Sequence, residues 1–400
     1  MTDAKKTTLA CYASLLTQAV VINLSPLLYA IFNFRLGLSA ATIALLSTLT
    51  FALQMAVDAL FSPLIYKIGY KTTALMADGF GALGLILLGL SPFIGGGTLI
   101  IIGILTGSIG SAMIEVVASP LLEALPGDKK SASMSLLHSF YCWGHLFVVL
   151  FATAFFFFFG EDYWFILPFI MVIVPLINAA LFFSIKKITT LEEGGASNKF
   201  SSFGKNKYFV MLAVLMICAG ASEQGIAQWA SYFAEVGLGV KKSFGDLLGT
   251  SMFALFMALA RTFFGFKGHK LNLEKSLAFC GAGLTFSYLL AALSPVPVLS
   301  LIGVALCGLF VGITWPGTLS LSGDSGLCGG TLMFALLALG GDIGCTLGPA
   351  VVGGINTATG NLNLAILAGT IFPIILTVTA LIYFFCRKKD AQKQTPLTNN

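Results

Sequence analysis

The chain has 400 residues, of which 57% are hydrophobic and only 10% charged, and its formal net charge is +5. A soluble domain carries about 25% charged residues, so this composition excludes a water-exposed globular surface and reads as a polytopic membrane protein. The positive charge is no nucleic-acid footprint, because the basic residues fall on separate short loops with no basic stripe interleaved with aromatics.

A bilayer-spanning helix needs about 20 apolar residues. Breaking the chain at charges, Gly/Pro clusters and polar runs gives twelve spans: 8–33, 40–66, 72–92, 97–123, 131–159, 163–185, 207–234, 244–266, 273–293, 297–321, 327–354 and 363–386. The longest polar stretch, KKITTLEEGGASNKFSSFGKNK, follows span six. The expected organisation is a six-helix half over 1–185, a linker over 186–206, and a second six-helix half with a short tail over 207–400. The start, MTDAKKTTLA, lacks a small-residue cleavage site and is read as leading into a retained first span. With both termini in the cytoplasm, inner loops and tails hold 18 of the 22 Lys and Arg. The positive-inside rule therefore predicts both termini cytoplasmic and an integral protein of the cytoplasmic (plasma) membrane.

Span one carries Gln18 and Asn23 in QAVVINLSP, and span two carries Asp58 in LQMAVDALF. The loop after span two reads SPLIYKIGYKTTAL. Span four ends in SAMIEVVASPLLEALPGD, with Glu115 in an otherwise apolar segment and Glu123 at its inner end. A carboxylate at that depth is costly unless it is paired, hydrated or protonated, so it faces the bundle interior, where it can load and release a proton. Span five follows with MSLLHSFYCWGHLF. His138 and His145 lie seven apart on one helical face with Tyr141 between them, and Trp143 lies close by. Its outer end, AFFFFFG, reads as lipid- or interface-facing.

Span seven, GASEQGIAQWASYF, holds Glu223, Gln224, Gln228 and Trp229. Residues 224 and 228 share a face, and amides, an acid and an aromatic ring are what a sugar's hydroxyls and C–H face require. Arg261, near the inner end of span eight, reads as snorkelling to the interface or pairing locally. Trp315 of span ten is a second ring for stacking. Asp342, in LGGDIGCTLGPAVVGG of span eleven, is a further coupling candidate. The eight cysteines are scattered without metal-ligand spacing, and no Gly-rich phosphate loop ending in Gly-Lys-Ser/Thr exists, so neither a metal site nor an ATP-driven engine is expected. The chain does not read as an enzyme.

A shift of 196 residues aligns Gly69 and Lys71 with Gly265 and Lys267, Pro120 with Pro316, Gly127-Asp128 with Gly323-Asp324, and Gly144 with Gly340. Two six-helix halves in parallel repeat are the signature of major-facilitator transporters, with the substrate site between them near the midplane. The loop after span two resembles that superfamily's Gly-x-x-x-Asp-Arg/Lys-x-Gly-x-Arg/Lys signature. Lys67, Gly69 and Lys71 match it, whereas Ser62 and Tyr66 stand at its Gly and Asp. The resemblance implies a gating role for Lys67, Gly69 and Lys71 that latches the inner face, with Glu123 as an acidic partner. Three further motifs resemble the fucose permease branch: Glu115 five residues before Pro120, Leu136-x-x-x-Phe140-x-x-x-Gly144, and Glu223 followed by Trp229.

That resemblance implies proton-coupled uptake of a small neutral sugar, with Glu115 as proton carrier, H⁺ as the coupling ion and no other cofactor. It implies a monomer in the lipid bilayer whose partner is a small carbohydrate. The branch's second acid, an Asp in span one, is missing here, where Asn23, Ser25 and Pro26 stand. Asp58, Glu223 and Asp342 are the candidates to share its load, and Gln18, Asn23, His138, Tyr141, Gln224, Gln228, Trp229 and Trp315 are the candidates for the substrate site. The alternative reading is a proton-coupled exporter of amphipathic metabolites or drugs, for which Gly344, Gly348-Pro349 and Gly353 supply the expected motif, though in span eleven rather than span five. A receptor or lipid-handling protein on the same fold is a third.

Overall fold

The computed structural model describes residues 2–125, 130–188, 206–323 and 330–394. Among these residues twelve helices are long and apolar enough to cross a membrane: α1 Asp3–Leu36, α2 Ala40–Ile68, α3 Tyr70–Leu90, α4 Gly96–Ala124, α5 Lys130–Phe159, α6 Ile166–Ser184, α7 Lys207–Ala227, α8 Lys242–Lys267, α9 Leu273–Leu293, α10 Pro297–Ser322, α11 Gly330–Thr359 and α12 Leu362–Asp390. No strand occurs among the described residues. The expected linker lies almost wholly outside them.

The helix ends follow from local chemistry. Thr2, Ser39, Asn206, Asn272 and Asn361 place a side-chain oxygen on a free amide of the first turn of α1, α2, α7, α9 and α12. Gly69, at φ 90°, is the whole connection between α2 and α3, a backbone angle that a residue with a Cβ rarely adopts. Several helices are interrupted. Pro316 has no N–H to return to the carbonyl of residue 312, and α10 breaks at Gly312–Ile313. α7 ends at Ala227 and continues after Gln228 and Trp229 as a short turn and a π-helical turn over Phe233–Gly237. A second π-helical stretch, Asp246–Ser251, lies inside α8.

The connections before α2, α4, α6, α8, α10 and α12 lie on one side of the bundle, the far side. The termini and the remaining connections lie on the other, the terminus side. Three apolar cores divide along this axis. On the far side one continuous core unites the two sets of six helices, running from Leu28, Phe32 and Ala44 to Trp229, Phe253 and Val352. On the terminus side each set has its own core among the described residues. One centres on Leu15, Val57, Met113 and Leu121, and the other on Leu212, Met216, Leu277 and Leu337. The sets adjoin along α2 and α11 and along α5 and α8.

The phenylalanine run at the end of α5 departs from the expectation. Phe157, Phe158 and Phe159 are exposed, as a lipid-facing run would be, but Phe155 and Phe156 turn into the shared core. A helix end of five aromatics cannot present them all outward, because successive residues step about 100° around the axis.

Candidate central transport site

A polar cavity lies between the two sets of helices, and each set builds one wall. On the first wall Gln18 from α1, Gln54 from α2, Glu115 from α4, and His138 and Tyr141 from α5 line it. Glu115 is the acceptor at its centre. Its Oε2 receives Nε2 of Gln54 at 2.8 Å and Nε2 of Gln18 at 3.1 Å. Two neutral amides thus hold it, and no basic side chain among the described residues is bonded to it. Asn23 sits behind the lining, donating Nδ2 to the Tyr141 hydroxyl at 3.1 Å and to the Ala19 carbonyl at 2.9 Å. It positions Tyr141 rather than facing the cavity itself.

On the second wall Glu223 and Gln224 from α7, Arg261 from α8, Trp315 from α10, and Asp342 and Cys345 from α11 line the cavity. Arg261 NH2 reaches Glu223 Oε2 at 2.6 Å, a buried charge-assisted pair. Gln228 donates to Gln224 Oε1 at 3.1 Å, and Gln224 donates at 3.5 Å to Glu223 Oε1, so the pair heads a chain of amides along α7. The Trp315 ring lies over Gly341, where any Cβ would collide with it. Where the walls meet, Asp58, Glu115 and Asp342 each place a carboxylate oxygen so that all three lie within 4.8 Å of one another.

Several expected site residues stand elsewhere. Trp229 is fully buried in the far-side core, against Tyr29 at 6.3 Å and Tyr232 at 5.7 Å between ring centroids. The break in α7 at Gln228 turns it off the face that Gln224 presents. His145 packs on Phe253 in the seam between α5 and α8, and Trp143 is exposed on the outside of the bundle. The expected snorkelling or local pairing of Arg261 is corrected: it points inward and pairs with an acid 38 residues away.

In the expected latch, Lys71 donates Nζ to the carbonyls of Ile185 at 2.7 Å and Phe183 at 3.1 Å. It thereby caps the end of α6 within its own set, where the helix dipole also favours a cation. Lys67 is exposed, Gly69 is the α2–α3 joint, and the Glu123 side chain lies outside the described residues.

Sequence reasoning missed two groups. Gln54 lies one turn before Asp58 on the same face of α2, which its spacing could have revealed. Asp78 of α3 and Asn178 of α6, both buried, form a cluster with Ser14 of α1. Asn178 Nδ2 lies 2.9 Å from Asp78 Oδ1 and 3.0 Å from Ser14 Oγ.

On the far side Lys242 is buried against Asp246 at 3.1 Å and Ser231 at 3.0 Å, with its ammonium 5.6 Å from the Phe156 ring centroid across the seam. Glu235, on the α7–α8 connection, has its carboxyl raised above the ordinary carboxylate range, chiefly by burial, with Lys242 opposing the shift.

The family model of the Major Facilitator Superfamily matches residues 10–326. Among solved structures, the chain is similar to a point variant of the E. coli fucose:proton symporter FucP, with a TM-score of 0.66 and 19% identity over 94% of this chain and 98% of that one. It is equally similar to FucP in an outward conformation, with a TM-score of 0.66 and 18% identity over the same shares. No curated protein sequence matches the chain. At such identity the likeness establishes the fold. The chain belongs to the Major Facilitator Superfamily and is an integral membrane protein of a transporter family.

Proposed function

We propose that this member of the superfamily is a secondary active transporter that takes up a small neutral sugar together with protons, by alternating access, with Glu115 as the proton carrier. The observation that carries the reading is the first wall: a carboxylate facing a polar cavity between the two halves, held among the described residues by the amides of Gln18 and Gln54. Such a group gains or loses a proton with little rearrangement, because its partners can rotate or reverse their donors and acceptors. The cavity lining supports a polyhydroxylated substrate: amides and a phenol offer donors and acceptors, and the Trp315 ring offers a stacking face. Asp58 and Asp342, whose carboxylates meet that of Glu115, are the acids that share the coupling, whereas Glu223 is held by Arg261.

The three cores support alternating access. The far side is sealed by one core, and the terminus side is divided between two, so the cavity opens toward the termini in this state. With the termini cytoplasmic, as the distribution of Lys and Arg indicates, the state is inward-facing. A second reading, export of cationic amphipaths, is favoured by the acid-rich lining, where Glu115, Glu223 and Asp342 face one Arg.

One panel separates them. Purified protein is melted with neutral hexoses, deoxyhexoses and hydrophobic cations, and each stabilising compound is then tested for uptake into proteoliposomes under an imposed pH gradient. Stabilisation and gradient-driven uptake of a neutral sugar are expected. Stabilisation by cations alone, with their movement against the proton gradient, would replace the sugar reading with the exporter.

A further inference from the structure

The far side of the molecule holds a second group of charges, outside the lining of the transport cavity. Two π-helical turns, Phe233–Gly237 and Asp246–Ser251, flank the α7–α8 connection and carry Glu235 and Asp246. Gly245 lets the two sides of that connection approach, since a Cβ there would stand 2.6 Å from the Ala234 Cβ. Lys242 is buried between the two acids. Its Nζ lies 3.1 Å from Asp246 Oδ2 and 3.0 Å from Ser231 Oγ, but 4.0 Å from Glu235 Oε2. The ammonium is thus committed to Asp246 and Ser231. Glu235 Oε2, itself buried, receives no hydrogen bond among the described residues.

The first six helices present the facing surface. Arg35, at the end of α1, pairs with Asp162 and reaches Glu161 at 3.6 Å, both on the α5–α6 connection. Phe156 of α5 meets the Lys242 ammonium, with its ring centroid at 5.6 Å. The charges that bear on Glu235 are therefore Lys242 and Asp246 from its own half and Glu161 and Arg35 from the other, with the Tyr232 phenol beside it. With Asp162 included, four carboxylates share two cations there. Closing the seam brings Glu161 toward Glu235 and takes Glu235 Oε2 out of water. Both changes penalise the negative form of Glu235.

The side chain of Glu235 keeps 20% of its surface exposed, so a proton reaches it from the far side without entering the cavity. Burial holds its carboxyl above the ordinary carboxylate range, against the opposing effect of Lys242. In an opened seam the same group is hydrated and returns toward that range. The closed form therefore binds the proton more tightly. Acidification stabilises the closed form, and that stabilisation is lost as pH rises through the raised value.

From this we infer that Glu235 is a second proton-binding site, on the far face and outside the transport cavity, whose protonation seals the seam between the halves. With the termini cytoplasmic, the far face looks outward. An external proton then closes the outer gate behind an entering substrate, and its loss lets the gate reopen. The inference rests on reading the structure as one state of an alternating-access transporter, but its test needs no sugar.

Full-length protein carrying spin labels at the exposed far-side positions Ile94 and Leu364 is titrated from about pH 8 to about pH 5, where a raised carboxyl changes charge. Pulsed electron resonance reads the ratio of short, closed distances to long, open ones. In the otherwise wild-type protein that ratio is expected to rise on acidification, by up to about tenfold per pH unit where one proton is taken up. Glu235→Gln, which mimics the protonated acid, should hold the closed distance across the whole range. Glu161→Gln, which removes the facing carboxylate, should move the response to lower pH without abolishing it. Glu115→Gln should leave the response in place, because the sensor lies outside the cavity. A ratio that ignores pH overturns the inference, as does a response that survives Glu235→Gln unchanged or disappears with Glu115→Gln. Should Glu235→Gln fail to fold, the Glu161→Gln shift decides, and its absence overturns the inference equally. Failure here leaves sugar uptake through the cavity standing, and a pH-gated seam in a protein that moves no sugar would leave Glu235 standing as the sensor.

Discussion

The two walls of the cavity handle a buried carboxylate in opposite ways. On the second wall, Arg261 neutralises Glu223 at 2.6 Å, and an amide chain extends from the pair along α7. On the first, Glu115 has two amides and, a few ångströms away, two more acids. In a buried ion pair each charge is compensated in place by the other. An acid held by neutral donors among other acids has no such anchor. On the proposed reading the walls do different work: the second fixes a charged scaffold in the cavity, and the first is where the coupling proton binds and leaves.

The largest test of this contrast is Glu223→Gln. It leaves the Arg261 guanidinium buried without its charge partner, a loss of about 3–5 kcal/mol of stability for a broken buried pair. Adding Arg261→Met should restore much of the loss, because removing both charges together is far cheaper than removing one. A melting temperature unchanged in the single variant would show that the two walls are not electrostatically distinct.

A middle-sized effect is expected where the walls meet on the far side. A Cβ at Gly353 would stand 2.6 Å from the Ala44 Cβ and 2.8 Å from the Trp229 ring, so Gly353→Leu overpacks the sealed seam. Overpacking costs about 1–3 kcal/mol, here charged against the far-side-closed state alone. Spin labels at the exposed positions Phe34 and Leu364 should report longer distances across the far side in this variant. Unchanged distances would mean that the seam does not control opening.

The smallest effect is on the first wall. Glu115→Gln keeps the side chain's shape and breaks no salt bridge, so its melting temperature should change by less than the equivalent of about 1 kcal/mol, the scale of a single neutral hydrogen bond. A collapse as large as that of Glu223→Gln would show that the Glu115 charge is structurally anchored after all.

Much of this arrangement was legible in the sequence. Hydropathy and loop charge give twelve spans, and Glu115 stands out because an acid in an apolar helix has few alternatives to the bundle interior. Amides at 224 and 228 fall on one face by helical spacing alone, and they are hydrogen-bonded to each other here. Other features were not legible, for identifiable reasons. The partner of Arg261 depends on how α8 is rotated against α7, which no local pattern encodes. Trp229 was assigned to the cavity by helical continuity, but α7 unwinds at Gln228. Asn23 reads as substrate-facing because it is polar in an apolar helix, yet its amide is spent on Tyr141 and a backbone carbonyl. The gathering of Asp58, Glu115 and Asp342 requires α2, α4 and α11 to converge, a property of the packed bundle alone.

The most direct test of the central claim is transport by Glu115→Gln beside wild type in proteoliposomes, with the sugar identified by the melting panel. Uptake driven by an imposed pH gradient is compared with sugar-for-sugar exchange at equal pH. The account predicts that the variant loses gradient-driven accumulation and retains exchange, because Gln reproduces the protonated acid in shape and hydrogen bonding but cannot release a proton. Accumulation with an unchanged response to the pH gradient would contradict it, and would make Glu115 a tie between helices rather than the carrier of the coupling proton.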